Sequence, residues 1–171
     1  MPTTLHAILA DITTLHVDAI VNAAHASLLP SGGVCGAIHR VAGPELAQAC
    51  LMLGSCSAGD ARLTKGYGLP ARYVIHAVGP LWDGGDSGEP NLLASCYRRC
   101  LELAAGAGIQ TIAFPSISTG IHGYPIDLAA NIAVTTLRAS IAEFPIIREV
   151  IFCCHSSRDL AAYQLLLVRA D

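Results

Sequence analysis

Apolar residues in this chain come in two alternating forms: short continuous runs rich in β-branched residues, and longer stretches with helical spacing. A first strand is expected just before Asp11. The run "DAIVN" at 18–22 is the pattern of a strand buried on both faces. From Val34, "VCGAIHRVAGPELAQACLML" has helical spacing with a junction at Gly43-Pro44, because proline lacks the amide that would continue the ladder. "RYVIHAVG" (72–79) reads as a strand, and "WDGGDSGEPN" (82–91) as a surface loop. "NLLASCYRRCLELAAGAG" (91–108) predicts an amphipathic helix with Asn91 as N-cap and a glycine stop. "QTIAFPSI" (110–117) predicts a strand running into a loop. "PIDLAANIAVTTLRASIAEF" (125–144) predicts a helix with Pro125 in its first turn. "REVIFCCH" (148–155) is a further strand, and "RDLAAYQLLLVRA" (158–170) a closing helix. Strand and helix in alternation predict an α/β fold: a mostly parallel sheet with helices on both faces. Ligands of such sheets sit beyond the carboxyl ends of the strands, which points to the loops at 23–36 and 116–124.

Composition narrows the function more than it changes this outline. The 171 residues suit one domain, 1–171, and 53% apolar against 13% charged residues describes a packed core. A net charge of -3 argues against a nucleic acid duplex as partner, which needs a basic face. No apolar run is long enough to span a bilayer, and the N-terminus lacks a basic stretch followed by a small-residue cleavage site. A cytoplasmic location and no membrane partner are therefore expected. The seven cysteines include no C-x-x-C pair, so they are expected to be buried thiols, with no metal and no cofactor.

The two loops carry the candidate chemistry. In "HASLLPSGGVCG", Ser31, Gly32 and Gly33 let the backbone approach a ligand closely, and the helix that follows offers free amides and the positive end of its dipole. The loop is neither a P-loop nor a dinucleotide fingerprint, since no Gly-Lys-Ser/Thr and no G-x-G-x-x-G is present. The second loop, "PSISTGIHGYP", sets Ser118, Thr119, Gly120 and Gly123 before another helix. Two such loops at one end of a sheet could grip a diphosphate through main-chain N–H groups, without lysine. Asp11 could accept a hydrogen bond from an exocyclic amine such as that of adenine, or simply cap a turn.

The stretches "ADITTLHVDAIVNAAHASLLPSGGVCGAIHRVAG", "GYGLPARYVIHAVGPLW" and "IAFPSISTGIHGYP" resemble the macrodomain family, in particular its MacroD-type branch. The resemblance implies a three-layer α/β/α fold with a mixed, mostly parallel sheet that binds ADP-ribose. It also implies hydrolysis of O-acetyl-ADP-ribose, or removal of mono-ADP-ribose from acidic side chains of proteins. It assigns the adenine to Asp11 with the Ile12 backbone, the distal ribose to Asn22, and the sugar and phosphate to Gly32, Gly33 and Val34. The diphosphate falls to Ser118, Thr119, Gly120, Ile121 and Gly123, with His122 a further ligand-binding residue of that loop and Tyr124 beside the distal ribose.

Several positions depart from the family pattern. Ala10 replaces the glycine of "GDIT", His25 the second asparagine of "NAAN", Cys35 an aspartate, and His122 a tyrosine. His155 stands where relatives often place an aromatic near the adenine. The asparagine and aspartate are the pair thought to position and activate the attacking water. A neutral imidazole at His25 can accept a proton from water near pH 7, and a His25–Cys35 pair is a candidate for nucleophilic catalysis. Two readings stand: a hydrolase with an altered pair, and an ADP-ribose-binding module without useful turnover.

Overall fold

A computed structural model describes residues 2–169. The elements run β1 (Thr4–Leu9), β2 (Ala19–Ala23), α1 (Gly33–Ala42), α2 (Pro44–Leu53), β3 (Ala61–Lys65), β4 (Tyr73–Ala77), α3 (Glu89–Gly106), β5 (Thr111–Phe114), α4 (Ile126–Ser140), β6 (Glu149–Cys154) and α5 (Ser157–Leu167). One sheet of six strands has the order β1-β6-β5-β2-β4-β3. Every neighbouring pair is parallel except β3 with β4.

Alternation along the strands builds a core on each face. Ala19, Val21, Ile75, Phe114 and Phe152 point toward α3, α4 and α5, while Ile20, Val74, Ala113 and Ile151 point toward α1 and α2. A fully buried Ile, Val or Phe contributes about 1.5–3 kcal/mol of transfer free energy, so neither face can be shed. The result is three layers, α/β/α, with the carboxyl ends of five parallel strands along one edge.

The observed elements correct the expected ones at several places. α3 begins at Glu89 rather than after an Asn91 N-cap, with Gly88 as cap and Pro90 in the first turn. The cause is the Glu89 carboxylate, 1% exposed, which accepts hydrogen bonds from the amides of Asp83 (2.7 Å), Gly85 (2.9 Å) and Ser87 (2.7 Å). The 82–91 segment is thus an ordered turn that ends inside a helix. Pro125 is the N-cap of α4, one position before its first turn. The strand β3 is not among the expected elements. Of the closing helix, Ala170 lies outside the described residues. All seven cysteines are buried and free.

The amides around Glu89, its own first among them, hold its carboxyl below the ordinary 4.5. A group with a depressed folded pKa stabilises the protein fully above its unfolded pKa, and that share is lost as pH falls through the folded value. Glu89→Gln is therefore expected to lower the melting temperature at pH 7 and to lose less on acidification below about pH 4.5 than wild type. Thermal melts from pH 7 to pH 3 check this, and parallel acid limbs in the two proteins would contradict it.

Candidate functional site

The carboxyl edge of the sheet opens into a cleft of about 1210 Å³. Four β–α connections and the end of β1 wall it, the β4–α3 connection through Gly79 alone. The β2–α1 loop brings His25, Ser31, Gly32, Gly33 and Val34 to the cleft, and the β5–α4 loop brings Ser118, Thr119, Gly120, Ile121, His122 and Tyr124. Asp11 and Ile12 line the end beside β1. The neighbouring strands explain this placement, because β5 pairs with β2 and their loops emerge side by side.

Both loops present unpaired main-chain amides. Those of Gly33, Val34 and Cys35 stand in the first turn of α1, where no earlier carbonyl exists to receive them. Between Ser118 and His122, no amide donates to a protein group among the described residues. The β5–α4 loop is closed by Gly123 N–H to Gly120 O and Tyr124 N–H to Ser118 O, both 2.9 Å. Gly123 therefore shapes the turn, with a φ of 76°, rather than lining the cleft. Ser118 is a non-glycine residue at φ 69°, and its hydroxyl is buried without a partner among the described residues. Strain of this kind, about 1–3 kcal/mol, persists only where surrounding contacts enforce it. Here one contact is the close approach of Gly79: a Cβ at that position would collide with Ser118 Oγ and Ile117 Cγ2. Tyr124 is 2% exposed, with its ring 4.5 Å from that of Trp82, whose amide donates to His122 O at 2.9 Å.

At the β1 end, Asp11 Oδ1 accepts from Thr13 N–H (3.0 Å) and Thr13 Oγ1–H (2.7 Å). Those two bonds lower its pKa, the hydroxyl more than the amide. The residue is both the turn cap and a member of the cleft wall, with Oδ2 free among the described residues. Charged side chains are sparse: Asp11, Arg158 and Asp159 line the cleft, all from β1 or the β6–α5 side.

Asn22 and Cys35 are placed differently from the other candidates. They are 0% and 2% exposed and lie behind the wall rather than on it. Asn22 Nδ2 approaches Cys35 Sγ at 3.6 Å, and Cys35 Sγ–H points to Leu29 O at 3.9 Å. His25 is exposed, and its Nδ1 accepts from Ser27 N–H at 3.3 Å. A neutral ring held this way carries its proton on Nε2, as a donor. No hydrogen bond joins His25 to Cys35 among the described residues, so the structure does not assemble the two as a nucleophile–base pair.

The third wall is the β6–α5 connection, with Cys153, His155, Ser156 and Arg158. Of these, only His155 stands out in the sequence. The same strand-end rule that singles out the other two loops points to this one as well. His155 is open to solvent, with Nδ1 3.7 Å from Asp159 Oδ2. Gly79, at the end of the β4 run, carries no comparable sequence signal.

Residues 21–133 match the family model for the Macro domain. A macro domain-containing protein of Chlorobaculum tepidum is 62% identical over 163 residues, 95% of each chain. An O-acetyl-ADP-ribose deacetylase of Enterobacter cloacae is 51% identical, covering 93% of this chain and 91% of its own. A macrodomain of Oceanobacillus iheyensis solved with ADP superposes with a TM-score of 0.91 at 43% identity, over 96% of this chain and 90% of that one. The chain belongs to the macrodomain family.

Proposed function

We propose that this protein binds ADP-ribose in the cleft and hydrolyses acyl esters of it, O-acetyl-ADP-ribose first and mono-ADP-ribosyl esters on acidic side chains second. The observation that carries the reading is the pair of facing loops with free amides at the tip of adjacent strands β2 and β5. A diphosphate between them exchanges water for fixed N–H donors and a helix dipole. The names of the relatives support the same ligand: one is an O-acetyl-ADP-ribose deacetylase, and one was solved with ADP.

The roles follow from position. Asp11 Oδ2 takes the adenine amine, and Ile12 supports the base. Gly32, Gly33 and Val34 hold the phosphate and distal ribose from one side, and the Ser118–His122 loop holds the diphosphate from the other. Tyr124 packs beside the distal ribose, and Asn22 sets the wall behind it. His25 directs Nε2–H at the ester, where a donor stabilises the oxygen that gains charge as water attacks. The substrate's own diphosphate accepts the water proton and returns it to the ribose oxygen as the acyl C–O bond breaks, releasing acetate and ADP-ribose, since no side-chain carboxylate lines the His25 end of the cleft.

That missing carboxylate is also what favours a second reading, in which the module binds ADP-ribose without turnover. Two assays on one preparation decide. Calorimetry is expected to show binding of ADP-ribose and much weaker binding of AMP, and O-acetyl-ADP-ribose is expected to release acetate. Binding without acetate release selects the second reading, and no binding rejects both. Within either reading, Asp11→Ala is expected to weaken ADP-ribose binding by about 1–3 kcal/mol, the scale of one hydrogen bond to a charged group. An unchanged affinity removes Asp11 from the pocket.

A further inference from the structure

Behind the cleft wall, a stripe of polar side chains crosses the sheet beneath α1 and α2. Asn22 and His76 are register partners on β2 and β4. Asn22 Nδ2 lies 3.1 Å from His76 Nδ1, and His76 Nε2 lies 2.9 Å from Thr64 Oγ1 on β3. Thr64 Oγ1–H in turn donates to Lys65 O at 3.1 Å. Asn22, His76 and Thr64 are all buried, and the ring of His39 lies 6.4 Å from that of His76.

The donors and acceptors can be ordered. An amide nitrogen only donates, so His76 Nδ1 is the acceptor and its proton sits on Nε2, facing Thr64. Burial pushes the ring's pKa down to about 3, and pushes the Cys50 thiol, 3.7 Å from Nε2, up to about 11. Both groups therefore stay neutral at physiological pH. With one Nδ2 hydrogen on His76, the other reaches Cys35 Sγ, and the thiol proton turns to Leu29 O. The chain of bonds starts at the edge of the sheet and ends in the loop that carries Ser31, Gly32 and Gly33.

We infer that His76 is a positioning residue, which acts through Asn22 and Cys35 to hold the β2–α1 loop in the shape that presents its amides to the cleft. The thiol at position 35 is thereby a structural link, accepting from Asn22 and donating to the loop. The inference rests on reading the cleft as an ADP-ribose site, but its geometric half can be judged without ligand.

Two-bond 1H–15N spectra of protein labelled at histidine are expected to show His76 as the Nε2–H tautomer, unchanged between pH 5 and pH 8. An Nδ1–H tautomer overturns the relay. Two variants separate its halves. H76N keeps an acceptor near the place of Nδ1, and H76Q keeps a donor near the place of Nε2. H76Q is expected to shift the amide resonances of Ser31–Val34 and to weaken ADP-ribose binding about tenfold, because Asn22 loses its acceptor. H76N is expected to recover both, to within about threefold in affinity. Equal losses in the two folded variants, or unmoved loop resonances in H76Q, would overturn the inference. If wild type bound no ADP-ribose, the ligand reading would fall, while the tautomer and the loop resonances would still decide the relay.

Discussion

His25→Ala is expected to lower kcat for acetate release from O-acetyl-ADP-ribose about 100-fold while leaving the Kd for ADP-ribose within about threefold. Ser27 N–H occupies Nδ1 of a ring that lines the cleft, which leaves Nε2–H as the donor in the proposed role. A donor that meets its partner only as charge develops on the ester oxygen contributes to kcat far more than to binding. The size is that of losing one such donor, on the order of 100- to 1000-fold. His25→Asn is expected to restore most of the rate, because an amide also carries an N–H. Steady-state acetate release and calorimetry on the same three proteins check this. A His25→Ala variant as fast as wild type would remove the residue from the proposed chemistry.

Gly79→Ala is expected to weaken ADP-ribose binding by about 3 kcal/mol, roughly 150-fold, with the protein still folded. Gly79 is far from notable in the sequence, yet its Cβ would strike Ser118 Oγ and Ile117 Cγ2. Turning the Ser118 hydroxyl aside does not clear the clash, because the new Cβ would still lie 2.6 Å from Ile117 Cγ2 and 3.3 Å from Ser118 Cβ. The whole β5–α4 loop would shift, and its amides would lose their common focus. Titration of the folded variant with ADP-ribose tests this. Affinity within about threefold of wild type would show that the loop does not need its observed shape.

Much of this architecture is legible in the sequence. Buried strands such as "DAIVN" and "REVIFCCH" lack polar alternation because both faces are covered, so their apolar runs stand out. Glycine and serine in the connections that follow such runs mark two of the cleft's loops. β3 escapes because "ARLTK" has one large apolar residue and lies at the sheet edge, where polar side chains are tolerated. α3 begins early because Glu89 gathers amides from preceding residues, a bond pattern that no periodicity encodes. The position of Cys35 is the widest gap. Its spacing places it in the first turn of α1, but only the packing of α1 on β2 turns it away from the cleft toward Asn22. His76 likewise looks like one more residue of an apolar run until the pairing of β2 with β4 sets it beside Asn22.

In the proposed site, main-chain amides rather than basic side chains hold the diphosphate. An 1H–15N titration of the wild-type protein with ADP-ribose addresses that point directly. The amides of Gly33, Val34 and the Ser118–His122 loop are expected to show the largest shifts, saturating together at one affinity. Saturation by ADP-ribose with those resonances unmoved, and the changes confined to other residues, would contradict it.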